Sequence, residues 1–125
     1  MILGVGIDIV HNNRIKKSME RFGDRFLNKV FTRGERAYCD ARLASLTHYA
    51  ARFAAKEACI KACGGRLSRS AQVFSNFEVI VDAQGCPTIR MHGAAGSELD
   101  PDLLLHLSLT HDAMVSAAVA VLEKP

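Results

Sequence analysis

The sequence predicts one domain in which strands and helices are mixed, and three observations predict it. Its 125 residues carry no long polar linker, the length of a single domain able to bury roughly two thirds of its unfolded surface. Apolar residues alternate at both ends of the chain, in Leu3, Val5, Ile7 and Ile9 and again in Leu105, Leu107 and Leu109, the period of a strand. Between them, apolar and small residues recur at helical spacing.

In residues 2–10, Leu3, Val5, Ile7 and Ile9 line one strand face, while Gly4, Gly6 and Asp8 share the other with Ile2 and Val10. Asp8 therefore looks over a glycine floor, where absent side chains leave room for another backbone or a ligand. Residues 13–29 read as a helix. Ile15, Met19, Phe22 and Phe26 form its core stripe, Arg14, Lys17, Arg21 and Arg25 run beside them, and Gly23 kinks or divides it. Thr32, with Glu35 three residues on, is a capping box that starts a short helix through Arg36 and Tyr38. A longer helix is predicted over 47–63, stopped by Gly64-Gly65. At about 100° per residue, Glu57 and Lys61 share a sector with Ala50, Phe53, Ala54 and Ala58. Such small residues admit a neighbouring backbone and keep the acid from full solvation.

Residues 66–75 read as irregular. The runs 77–81 and 87–91 flank Asp82-Ala83-Gln84-Gly85 as a hairpin, and 94–102 is a connector or short helix. Leu105, Leu107 and Leu109 alternate with His106, Ser108 and Thr110, giving a half-buried strand with a polar face. His111-Asp112 then turns the chain into a last strand, 113–122, whose Ala and Val residues leave neither face polar. That strand needs cover on both sides, from the domain's own helices or from a second subunit.

The formal charge of +3 hides a division: residues 1–69 hold fourteen Lys or Arg against six Asp or Glu, and residues 70–125 hold two against seven. The basic half is the docking side for a phosphate-bearing ligand or an acidic protein. Charge alone admits nucleic acid, but six Phe, two Tyr and no Trp make a poor stacking platform for single-stranded bases. The first ten residues are too short and acid-interrupted for a membrane span and lack a basic leader, so the expected location is cytoplasmic. Cys39, Cys59, Cys63 and Cys86 have no zinc spacing and are expected as buried, reduced thiols.

Asp8 and Glu57 are carboxylates in otherwise apolar runs, and a hard divalent cation held by two such groups keeps positions for phosphate oxygens. Asp8 reads equally as a cap for the turn that follows it. Glu57 and Lys61 read either as a surface ion pair at i and i+4 or as a metal ligand and an ammonium aimed at one phosphate charge. Gly64-Gly65 is a helix stop or a place where backbone amides meet phosphate. His106, Ser108 and Thr110 offer donors in a row, on a ligand-binding or a solvated face. The basic stripe is a solvated face or, for want of a compensating acid at its helical offsets, a dock for an acidic partner.

Taken in order, Gly6-Ile7-Asp8-Ile9-Val10 with Arg14-Ile15, Phe31-Thr32 with Glu35, Arg52-Phe53-Ala54-Ala55-Lys56-Glu57-Ala58 with Lys61-Ala62, and His106-Leu107-Ser108-Leu109-Thr110-His111 resemble the holo-acyl-carrier-protein synthases. These are the short, single-domain phosphopantetheinyl transferases, and the resemblance covers almost all of residues 1–125. It implies an α+β fold with an antiparallel sheet packed against helices. It also implies transfer of 4′-phosphopantetheine from coenzyme A to a serine of apo acyl carrier protein, releasing adenosine 3′,5′-bisphosphate, in support of fatty acid biosynthesis and lipid metabolism. By position, Asp8 and Glu57 match the family's magnesium ligands and Lys61 its diphosphate-binding and catalytic lysine. Gly64, His106, Ser108 and Thr110 fall in its coenzyme-binding segments, Arg52 matches an arginine near the nucleotide, and Arg14, Arg21 and Arg25 fall in the carrier-docking helix. The resemblance further implies a homotrimer with sites between subunits, so that Arg52, which points away from Glu57 on the helical wheel, serves a neighbouring site. The chain departs from the family at His11, where a glutamate is frequent, at Asn76, where an aspartate is common, and at Gly64-Gly65-Arg66 in place of Gly-x-Gly.

On that reading, Lys61 neutralises charge on the leaving nucleotide while the carrier serine attacks the β-phosphorus in line. The serine proton goes to a metal-bound water, to Lys61 or to the His111-Asp112 corner. Two rivals stand beside it: a non-catalytic adaptor that holds an acidic carrier through the basic helix, and a metal-dependent nuclease, which would want more acids and a wider basic groove.

Overall fold

A computed structural model describes all 125 residues. The chain runs β1 (Ile2–His11), α1 (Asn12–Phe22), α2 (Asp24–Val30), α3 (Arg33–Asp40), α4 (Ser45–Cys63), three short 3-10 turns, β2 (Phe77–Val81), β3 (Pro87–Met91), α5 (Gly93–Glu98), β4 (Leu104–His111) and β5 (Val115–Glu123). Strands β1, β5 and β4 form an antiparallel sheet in that order, and β2 pairs with β3 as a separate hairpin. The class is α+β, with the antiparallel sheet packed against helices.

Helix α4 lies across one face of the sheet, and two glycines decide how closely. A Cβ on Gly4 or Gly6 would overlap the carbonyl oxygens of Ala62 and Ala58. The occupant of the glycine floor is therefore the chain's own helix. Ala50, Ala54, Ala58 and Ala62 are buried along the seam with Val10, Ala118, Ala120 and Leu122, and this close contact of small residues forms the centre of the core. Gly64 ends α4 at φ 55°, its N–H donating to the Ile60 carbonyl, and Gly23, also at φ 55°, divides the predicted 13–29 helix into α1 and α2.

Thr32 and Glu35 form the expected capping box, and the structure adds a second task for the glutamate. Glu35 Oε1 lies 2.7 Å from Lys56 Nζ, both side chains fully buried, while Oε2 accepts from the Val79 amide at 2.8 Å. Lys56 also donates to the Phe77 and Phe74 carbonyls at 2.6 and 3.2 Å. Burial pushes the lysine below its ordinary value, against the raising pull of Glu35. The pair ties α3, α4 and β2 together, and removing one member would strand the other at a cost of about 3 to 5 kcal/mol.

Two expectations are corrected. Phe22, placed in the core stripe, is 42% exposed, because α1 ends there, and the guanidiniums of Arg21 and Arg25 lie over its ring. Cys86, expected buried, is exposed in the β2–β3 turn, whereas Cys39, Cys59 and Cys63 are buried and all four are free. The last strand, central in the sheet, has one face under α4 through Ser116, Ala118, Ala120 and Leu122. Its other face continues an apolar surface whose β1 residues Val5, Ile7 and Ile9 are 61%, 68% and 67% exposed. No helix is long and apolar enough to cross a membrane.

Candidate active site

The tight β1–α4 seam brings Asp8 and Lys61 together. Asp8 lies on the α4 face of β1, paired with Ala118 of β5, and its side chain is 17% exposed. Lys61 Nζ stands 3.5 Å from Asp8 Oδ1 and donates to the Ile7 carbonyl at 3.0 Å. The ammonium thus spans strand and helix and leaves Glu57, one turn back, out of any ion pair. The surface Glu57–Lys61 pair is not what forms. Glu57 is half-buried and Lys61 exposed.

No three His, Cys, Asp or Glu side chains converge anywhere in the chain. A cation here would rest on Asp8 and Glu57 and complete its shell with water or ligand oxygens, as magnesium does with one or two carboxylates and substrate phosphates. Beyond Lys61, Gly64 and Gly65 stand in open space, with nothing within 4 Å of a Cβ on either. Gly64's own amide is committed to Ile60, so that residue offers room and not a free donor.

Arg52 belongs to a different locus. It is 3% exposed, donates through Nη1 to the His48 carbonyl at 3.3 Å, and leaves Nε without a partner. Its guanidinium lies 4.2 Å from the Tyr38 ring centroid, and that of Arg42 lies 3.2 Å from the same centroid. Arg52 lines a cleft of about 420 Å³ with Tyr38, His48, Cys86, Ser108 and His111. The His48 and His111 rings are 6.1 Å apart. Burial and the charges of Arg52, Arg42 and His111 hold His48 below its ordinary value of 6.5. Asp112 accepts from the amides of Met114 and Val115 at 2.7 Å each, and those bonds keep its carboxyl below the usual aspartate range.

The strand register separates the predicted residues. Leu109 of β4 faces Ala118 across the sheet, as Asp8 does from the other side, so Asp8 shares its face with Leu109. His106, Ser108 and Thr110 alternate with the leucines and point to the opposite face. His106 pairs there with Glu123 at 3.0 Å, and Ser108 and Thr110 are exposed. Within one chain, Asp8 and Lys61 meet along β1, one sheet edge, and the Arg52 cleft lies along β4, the other. Sequence reasoning missed Tyr38, His48 and Cys86 in that cleft. His48, four residues before Arg52 on one helix face, was the available signal.

Arg14, Lys17 and Arg21 line the largest cleft, about 680 Å³, with His11, Phe22 and Met114. Arg25 flanks it over Phe22, 5.6 Å from the ring centroid. None of these four cations takes part in an ion pair. His11 belongs to this basic cleft, and Asn76 donates to the Ala71 carbonyl at 3.2 Å.

Residues 4–116 match the family model of the 4′-phosphopantetheinyl transferase superfamily. The chain is 43% identical to the holo-[acyl-carrier-protein] synthase of Methylorubrum populi, covering 98% of this chain and 94% of that protein. Its fold is similar to the crystal structure of the Neisseria meningitidis holo-[acyl-carrier-protein] synthase at TM-score 0.90 and 32% identity, covering 99% of this chain and 100% of that one. It is also similar, at TM-score 0.81 and 32% identity over 100% of this chain and 99% of the other, to a Bacillus anthracis holo-(acyl-carrier-protein) synthase in complex with CoA (3′,5′-ADP). With sequence and fold both matched from end to end, the chain belongs to the holo-[acyl-carrier-protein] synthases of the 4′-phosphopantetheinyl transferase superfamily.

Proposed function

We propose that this chain transfers the 4′-phosphopantetheine group of coenzyme A to a serine of apo acyl carrier protein, with magnesium, in support of fatty acid biosynthesis. The observation that carries the reading is Lys61 standing 3.5 Å from Asp8, one turn from an unpaired Glu57. Two carboxylates and an ammonium at one solvent-facing seam suit a diphosphate. Asp8 and Glu57 would hold magnesium, which when bound neutralises diphosphate oxygens.

Lys61 stabilises charge that builds on the departing 5′-phosphate of adenosine 3′,5′-bisphosphate as the carrier serine oxygen attacks the β-phosphorus and the phosphoanhydride bond breaks. Asp8 holds that ammonium in place. Arg52, with its unpartnered Nε, and Ser108 serve the nucleotide end, with Gly64, His106 and Thr110 in the remaining coenzyme contacts. Arg14, Arg21 and Arg25, unpaired and exposed, dock an acidic carrier.

The 125 residues act as one catalytic domain, and three copies assemble. Lys61 and Arg52 sit at opposite sheet edges, and the uncovered face carrying Val5, Ile7 and Ile9 supports a homotrimer whose sites draw on two subunits. The protein is assigned to the cytoplasm, a setting that keeps its four free cysteines reduced.

The test is incubation with coenzyme A, Mg²⁺ and an apo acyl carrier protein, read by intact-mass spectrometry. A phosphopantetheine increment on the carrier, lost with a chelator and restored by Mg²⁺, is expected. Carrier binding without an increment would instead leave an adaptor.

A further inference from the structure

Cys86 is the exposed member of four free cysteines, and it lines the cleft that holds Arg52, Tyr38, His48 and Ser108. The surroundings are cationic. Arg52 is 3% exposed with Nε unpartnered, which calls for an anion or a water at that nitrogen. The Arg42 guanidinium stacks on the same Tyr38 ring, and His48 and His111 face each other within the cleft. The carboxylate of the turn, Asp82, is turned to the backbone, accepting from the amides of Gln84 and Cys86 at 2.9 Å each. It fixes the turn that presents the thiol.

We propose that Cys86 is a modification site at which an anionic low-molecular-weight disulfide forms a mixed disulfide, closing the Arg52 cleft to a phosphate-bearing nucleotide. The proposal rests on the reading of this cleft as the coenzyme's nucleotide site. A carboxylate on the disulfide is held by the Arg52 guanidinium that otherwise meets phosphate, which sets its disulfide beside the thiol. Cys86 gives up its proton, and its sulfur attacks one sulfur of the disulfide. The old S–S bond breaks, a new one forms, and the departing thiolate leaves with the electron pair and takes up a proton. Cys86 is oxidised, one half of the disulfide is reduced to thiol, and an added dithiol reverses the exchange.

The other three cysteines are protected. Burial pushes Cys39 and Cys63 up to about 11 and Cys59 up to about 12, and none of them reaches the surface. Since the thiolate is the nucleophile, neither access nor ionisation favours them.

The experiment treats the folded protein with glutathione disulfide, maps adducts by intact and peptide mass, and measures adenosine 3′,5′-bisphosphate binding by calorimetry before and after. One glutathionyl increment on Cys86 is expected, removed by dithiothreitol, absent in Cys86→Ser, and accompanied by nucleotide binding weakened about tenfold or more. Adducts on Cys39, Cys59 or Cys63 in place of Cys86, or no adduct, would overturn the proposal. Unchanged affinity after full modification of Cys86 would overturn it while leaving the cleft's reading intact. A protein that binds no nucleotide before treatment would overturn the reading of the cleft and the proposal with it.

Discussion

Glu57 shows how one residue's role depends on where its neighbour's charge goes. With Lys61 turned to Asp8, the glutamate is left half-buried with no cation. Glu57→Gln should keep the fold and lower kcat at limiting Mg²⁺ by roughly a hundredfold or more, as removal of several kcal/mol of metal-borne stabilisation requires. Steady-state rates beside thermal melts check this, and near-normal turnover would remove Glu57 from the metal's ligands. Tyr38 holds two guanidiniums against its ring. Tyr38→Leu should weaken nucleotide binding about threefold to tenfold and Tyr38→Phe should restore it, because the ring and not the hydroxyl carries the cation–π attraction. His48 sits below 6.5 in the fold, through burial first and then Arg52, Arg42 and His111. As pH falls below 6.5 the unfolded chain takes up a proton that the folded chain resists, so His48's contribution to stability is full above 6.5 and is lost towards its folded value. Urea titrations between pH 7.5 and 5 should show that slope, and His48→Phe should flatten it.

Helix α4 does at one place what its sequence suggested and at another what it concealed. Its alanine stripe and the glycines of β1 are two halves of one contact, each legible alone as a run of small residues. Gly6→Ala puts a methyl into the Ala58 carbonyl and should cost about 1 to 3 kcal/mol in urea unfolding, as overpacking does. Turnover should fall further than stability, because the shift falls on the seam that sets Lys61 against Asp8. Unchanged unfolding and kinetics would mean that the seam yields easily. The division of the 13–29 helix at Gly23 and the capping box at Thr32 were readable because both rest on contacts three or four residues apart. The burial of Lys56 against Glu35 was not, because it joins residues twenty-one apart through a fold that closes over both.

Across the whole molecule, β1 and β4 stand at opposite edges of the sheet with β5 between them, and the predicted site residues divide accordingly. The uncovered face of Val5, Ile7 and Ile9 is where the proposed trimer would join a second copy, and so where the two edges of different chains would have to meet. Ile7→Glu should reduce the mass measured by light scattering from three copies to one and abolish transfer with it. A variant that keeps its mass and its activity would show that this face looks onto solvent. The sequence by itself determined the elements, the caps and the basic helix, and singled out Asp8, Glu57 and Lys61 as candidates, because period, turn chemistry and acids stranded among apolar residues are local signals. Only the tertiary structure decided that Lys61 pairs with Asp8, that Phe22 and Cys86 face solvent, and that His106, Ser108 and Thr110 lie behind the sheet from Asp8. Those outcomes depend on strand order and on how closely α4 approaches β1, and both are settled by contacts between residues far apart in the chain.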